Sequence, residues 1–133
     1  MAAGTMRQTS IEIEGLEHSV PIPCASRVGP VVATSAVAGR DAKTKKLAPD
    51  ADGQARLAFA NLKQILEKAG VGMGDVVKLT VFLADEAHRE AIGKYWLEYF
   101  PDPHHRPARH AITLPLRGGM LLQLEALAVA KDA

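Results

Sequence analysis

Cysteine is almost missing from this sequence: Cys24 is the one thiol among 133 residues. That excludes an internal disulfide framework and the zinc sites built from several cysteines. Aromatic residues make up only 5% of the chain and do not interleave with basic ones. A stacking platform for single-stranded nucleic acid is therefore not expected. Neither sign of charge dominates, since 16 Lys and Arg stand against 15 Asp and Glu, a net charge of +1. So even a balance gives no electrostatic footprint for nucleic acid or an anionic membrane, and neither is expected as a partner. No stretch approaches the roughly 18 apolar residues of a membrane span. The opening residues 1–10 lack the apolar centre of a signal peptide. The expectation is a cytoplasmic protein with a reduced thiol.

What is present fits one folded domain over residues 1–133, with residues 1–9 loose. The chain is 47% hydrophobic and 23% charged, an ordinary balance for a packed domain of this length. Ser10 to Glu14 alternates apolar with polar, as a half-exposed strand does, and Gly15 closes it. Ile22 to Val28 and Val31 to Ala38, separated by Gly29-Pro30, read as a hairpin. Gly39 to Asp52 has no periodicity and reads as a loop, with Asp50 or Asp52 available to cap the helix that follows. In that helix Ala55, Ala58, Phe59, Leu62, Ile65, Leu66 and Ala69 form one apolar stripe, and Gly70 supplies the stop. Asp75 to Leu83 alternates as a strand, with Val77, Leu79, Val81 and Leu83 on one face. Glu86 to Phe100 has helical spacing and ends at Pro101. Arg109 to Leu114 and Met120 to Ala130 complete the chain as strands.

This order predicts an α+β fold in two layers, a mixed β-sheet with two helices on one face. The last strand is apolar on both sides. Leu122, Leu124, Ala126 and Ala128 alternate with Leu121, Gln123, Glu125, Leu127 and Val129. An uncovered sheet face that is still apolar calls for another subunit, so an oligomer is expected.

Several short segments carry a resemblance to a known family. Lys78-Leu79-Thr80-Val81-Phe82-Leu83, Pro107-Ala108-Arg109 and Glu125-Ala126-Leu127-Ala128-Val129 stand in order, preceded by Thr34-Ser35, Gln54-Ala55-Arg56, Asn61-Leu62-Lys63 and Ala69-Gly70. Together they resemble the reactive intermediate deaminase family, RidA or YjgF, over about residues 20–129. The resemblance implies a RidA/chorismate-mutase-like fold that assembles as a homotrimer around a central barrel of sheets, with clefts between neighbouring subunits. It also implies hydrolysis of small enamines and imines that bear a carboxylate, giving 2-keto acids and ammonia, with no cofactor.

In that scheme the arginine of Pro-Ala-Arg, here Arg109, grips the substrate carboxylate. A planar guanidinium suits the task through its bidentate, charge-assisted fork. Ser35 falls in the Thr-Ser element of the same site. The departures are equally specific. The family's water-handling glutamate falls on Gln123, and an amide holds water but cannot take its proton at neutral pH. Glu125, two residues on and about 7 Å away on the same face, is the other candidate for that task. The family's tyrosine falls on Ile22, its helix asparagine on Gly93, the serine after the arginine on His110, the cysteine on Ala111, and the glycine after Thr-Ser on Ala36. Cys24 joins the presumed cleft as a small, buried thiol. His110 has a pKa suited to proton transfer but should point to the strand face opposite Arg109.

Metal is not expected. His104, His105 and His110 are the nearest to a ligand set, yet adjacent histidines in a proline-punctuated loop seldom converge, and no carboxylate stands at ligand spacing. The expected function is cofactor-free deamination, with Gln123 and Glu125 as catalytic candidates and Arg109, Ser35, Ile22, Cys24, His110 and Gly93 as binding candidates. The alternative is a trimeric small-ligand-binding or regulatory protein that uses the same clefts without chemistry. RNA cleavage, attributed to some relatives, is disfavoured by the balanced charge.

Overall fold

The computed structural model describes residues 4–131. Among these, seven strands form one sheet: β1 (Thr9–Ile11), β2 (Ala25–Val28), β3 (Val31–Thr34), β4 (Val37–Ala38), β5 (Val76–Leu83), β6 (Ala108–Thr113) and β7 (Leu122–Val129). Their order is β1-β2-β3-β7-β5-β6, with β4 also paired to β7. Only β5 and β6 run parallel. They are joined through α2 (Arg89–Tyr99), the crossover that a parallel pair requires. α1 (Ala51–Lys68) lies against β7, β4 and α2. The mixed sheet with two helices on one face is the architecture expected.

α1 forms where the stripe predicts it. The Asp50 carboxylate accepts from the Gly53 N–H at 2.7 Å and caps the first turn. At the other end Gly70 adopts φ +88°. Its N–H donates to the Glu67 carbonyl and the Val71 N–H to Leu66, which closes a Schellman motif. Arg27 of β2 donates to the Ala69 carbonyl at 2.8 Å, tying this helix end to the sheet. Phe59, Leu62 and Leu66 are fully buried, and each such side chain contributes about 1.5–3 kcal/mol relative to exposure.

Two polar residues share that buried face, Gln54 and Asn61. They stand seven positions apart, so two helical turns bring them to one side. Gln54 donates to the carbonyls of Ala48 and Gly119 and accepts from the Leu121 N–H at 2.8 Å. Asn61 donates to the carbonyls of Ala38 and Arg40 at 3.1 and 2.8 Å. The helix is thereby fastened to the entry of β7 and to the exit of β4. Gly39 makes this possible, because a Cβ there would collide with the Gln54 backbone.

Several boundaries differ from expectation for physical reasons. Residues 1–3 lie outside the described residues, while Thr9 and Ser10 are already in β1 through their pairing with Arg27 and Ser26. The strand expected over Val31 to Ala38 is broken in two. Thr34 turns its buried hydroxyl to accept from the Ala126 N–H at 2.9 Å, taking the place of a ladder bond. β5 has a bulge between Val76 and Lys78, so Val76 faces the core and Val77 is 51% exposed, the reverse of simple alternation. The helix expected from Glu86 begins instead as a 3-10 turn, Glu86–His88, capped by Asp85.

β7 divides as the sequence predicts. Leu122, Leu124, Ala126 and Ala128 are buried beneath the helices, while Leu127 and Val129 are 40% and 42% exposed. Val31 lies opposite Val129 and is exposed too. The open sheet face therefore carries an apolar strip across β3 and β7, with Val77 of β5 also exposed.

Removing one amide stitch should be costly. Asn61→Ala leaves two carbonyls without their donor and is expected to lower stability by about 1–3 kcal/mol. Equilibrium urea unfolding measures this, and an unchanged midpoint would show that water replaces the amide at no cost.

Candidate functional site

A cleft of about 620 Å³ opens beside β4 and the start of β7. Its walls come from residues 15–22, from Ala36 to Arg40, from Asn61 and Ile65 of α1, and from Met120 and Gln123. The amide stitches set this shape, since Asn61 holds the Ala38 to Arg40 wall and Gln54 holds the segment leading into β7. The 15–22 wall is anchored at Gly15 (φ +93°), packed against the Ala42 backbone, with Glu17 accepting from the Gly15 N–H at 2.8 Å.

Of the residues picked out in the sequence, Ile22, Cys24 and Gln123 line this cleft. Gln123 is oriented by donating to the Met120 sulfur at 3.1 Å. Cys24 is 1% exposed and its thiol meets the Leu16 carbonyl. Burial pushes that thiol above its ordinary pKa, so it is an inert wall rather than a nucleophile. Ser35 stands beside the lining residue Ala36, but its hydroxyl donates to the Pro23 carbonyl at 2.7 Å, and its N–H donates to Cys24. Its visible role is to brace the β2 entry.

The remaining candidates lie elsewhere. Arg109 pairs in register with Leu79, on the helix side of the sheet, and its guanidinium stacks on Trp96 of α2 at 4.7 Å. Burial against that ring, together with the field of Arg89, lowers its pKa, though a guanidinium stays charged. Among the described residues no carboxylate forms an ion pair with Arg109. Gly93 is one helical turn before Trp96, with open space where a Cβ would stand. Arg109 and Trp96 thus make a second cluster at the edge formed by β6 and α2, and Gly93 leaves open space one turn away.

His110 pairs with Thr80, and Thr80 with Glu125, so these three share a row on the open sheet face, opposite to Arg109 as expected. The cleft lining includes Gln123 and not Glu125. Among the described residues Glu125 makes no ion pair. No group of three or more His, Cys, Asp or Glu among them could hold a metal ion. No helix among them is long and apolar enough to cross a membrane.

Arg40 was not picked out in the sequence, where it sits in a charged, aperiodic loop. In the cleft its Nε is buried without a hydrogen-bond partner, an arrangement that costs about 1–3 kcal/mol or more for a charged group. Glu17, His18 and Lys45 complete the charged lining. Glu17 is kept below the ordinary carboxylate pKa, mainly by its own and the Gly15 N–H groups.

Residues 21–130 match the family described as Endoribonuclease L-PSP. The 2-iminobutanoate/2-iminopropanoate deaminase of Salmonella typhimurium is 33% identical over 106 residues, covering 78% of this chain and 83% of that protein. A RutC family protein of Haemophilus influenzae is 33% identical over 114 residues, covering 84% and 88%. Among solved structures, RidA from the Antarctic bacterium Psychrobacter sp. PAMC 21119 superposes with a TM-score of 0.84 at 28% identity, covering 91% of this chain and 98% of that one.

The account of Cys24 has a direct check. Native protein at pH 7.5 should resist alkylation by iodoacetamide under conditions that label the urea-unfolded chain completely. Rapid labelling of the folded protein would mean the thiol is exposed and reactive.

Proposed function

The chain belongs to the RidA/YjgF reactive intermediate deaminase family, and from that premise we propose that it hydrolyses small imines bearing a carboxylate to 2-keto acids and ammonia. The observation that carries this reading is Arg109: a guanidinium held over the Trp96 ring, with no acid partner among the described residues, in the Pro-Ala-Arg element. A fork fixed in this way can take a carboxylate through two parallel hydrogen bonds.

The reaction needs a second group near the imine carbon, and Gln123 in the cleft is suited to hold the water. Because an amide is no base, the substrate supplies the proton acceptor. Water oxygen bonds to the imine carbon while its proton passes to the imine nitrogen, giving a carbinolamine. The hydroxyl proton then moves to the same nitrogen, the C–N bond breaks, and ammonia leaves as the carbonyl forms. The sequence is redox-neutral and calls for no cofactor.

Arg109 and Gln123 belong to separate clusters within one chain, and a homotrimer resolves this. Burial of the strip formed by Val31, Leu127 and Val129 against a second sheet would bring the Arg109 edge of one subunit to the cleft of its neighbour. Glu125 and His110, on the open face, would then lie within the barrel interface. Light scattering should give a mass three times the 14.2 kDa of the chain, and Leu127→Asp should reduce it to one. A native protein that runs as a monomer would contradict this assembly.

Activity is tested by ammonia release from 2-iminopropionate generated in situ. The native protein should exceed the spontaneous rate, and Arg109→Ala should lower kcat/KM by about 30-fold or more. Equal rates in the two proteins would remove Arg109 from the mechanism. Saturable binding of keto acids by a native protein that gives no acceleration would favour the non-catalytic ligand-binding reading, which the replacement of a base by Gln123 motivates.

A further inference from the structure

We propose that Arg40 anchors a second carboxylate, so that the preferred substrates are imines of dicarboxylic amino acids. This rests on the reading of the cleft as the hydrolytic site and adds to it the identity of the substrate class.

Four observations converge on Arg40. Its Nε is buried in the cleft wall and finds no acceptor among the described residues. No carboxylate there forms an ion pair with it. The one acid in the lining, Glu17, is engaged by the Gly15 N–H and lies in the field of Lys45, leaving Arg40 uncommitted. The root of the side chain is fixed, because Asn61 donates to the Arg40 carbonyl at 2.8 Å and residue 40 is bridged to Leu47.

A part-buried guanidinium in a cleft wall, with no partner for any of its donors among the described residues, can take a carboxylate in its fork. The cation lines the same cleft of the same chain as Gln123, whereas Arg109 lies at the β6 and α2 edge outside this lining. The two guanidiniums therefore address different anionic groups. A volume of about 620 Å³ leaves room for a substrate longer than a three-carbon acid. The cleft lining also includes Leu16, Ile22, Val37, Ile65 and Met120, apolar residues that lower the local dielectric and favour an ion pair formed there. The chemistry is unchanged: water adds, the C–N bond breaks, ammonia leaves, and the product is a 2-oxo dicarboxylate.

The test compares two acids with the same five-carbon chain, 2-oxoglutarate and 2-oxopentanoate, by calorimetry on the native protein, Arg40→Gln and Arg40→Lys. Native protein should bind 2-oxoglutarate about tenfold or more tightly than 2-oxopentanoate. Arg40→Gln should bring the ratio near one, and Arg40→Lys should restore part of it, which separates a lost charge from a damaged fold. A native ratio near one, a ratio that survives in Arg40→Gln, or no binding of either acid would overturn the proposal. Ammonia release from the corresponding imines separates the two claims. A binding preference without turnover sinks the deaminase reading and leaves Arg40 as the anchor, while turnover without preference does the reverse.

Discussion

Two buried carboxamides on one helix hold this molecule's working parts in place. Gln54 and Asn61 sit within the apolar stripe of α1, where an unsatisfied amide would be expensive. Each is satisfied by backbone from a cleft wall, Asn61 by Ala38 and Arg40, Gln54 by Ala48, Gly119 and Leu121. Beyond the two residues of β4 and the Arg40 to Leu47 bridge, neither wall has regular structure of its own to fix it there. The helix can place its amides only if its stripe is packed, and the walls can keep their shape only if the amides are placed. Packing and site geometry are thus coupled through about five hydrogen bonds.

The same constraint explains why the chain has two incomplete clusters. Stitching the β4 exit to α1 creates a cleft lined by Gln123, proposed above to hold the water, and by Arg40, whose Nε is buried without a partner. The parallel crossover through α2 puts Arg109 at the far edge, braced by Trp96. Nothing in one chain can carry Arg109 across the sheet. The open face of β3, β5 and β7, apolar at Val31, Val77, Leu127 and Val129, would supply the energetic drive for the proposed trimer. In the proposed trimer, assembly and catalysis would both depend on β7, whose buried residues build the core and whose outward residues would serve the partner and the cleft.

Much of this was legible in the sequence, and the exceptions have physical causes. The α1 stripe, its Gly70 stop and the two-sided apolarity of β7 follow from spacing alone. The bulge in β5 did not, because Val76 and Val77 are equally apolar and alternation cannot say which is inside. The break between β3 and β4 depends on a hydroxyl competing with a ladder bond at Thr34, and no period reports that. Arg109 was legible through a motif and Gln123 through its place in the last strand. Arg40 was not: a basic residue in a charged loop looks solvated, and only the fold sets it in a cleft wall with its Nε buried. Gln54 and Asn61 could have been found, since amides two turns apart within an apolar stripe demand partners.

The central claim is that each site takes Arg109 from one subunit and Gln123 from the next. Subunit mixing tests it: Arg109→Ala and Gln123→Leu proteins, each impaired alone, are unfolded together, refolded, and assayed for ammonia release beside the native protein. Random reassortment in a cyclic trimer restores both residues at roughly one site in four, so recovery to about a quarter of the native rate is predicted. A mixture no more active than the average of its two components would contradict a shared site.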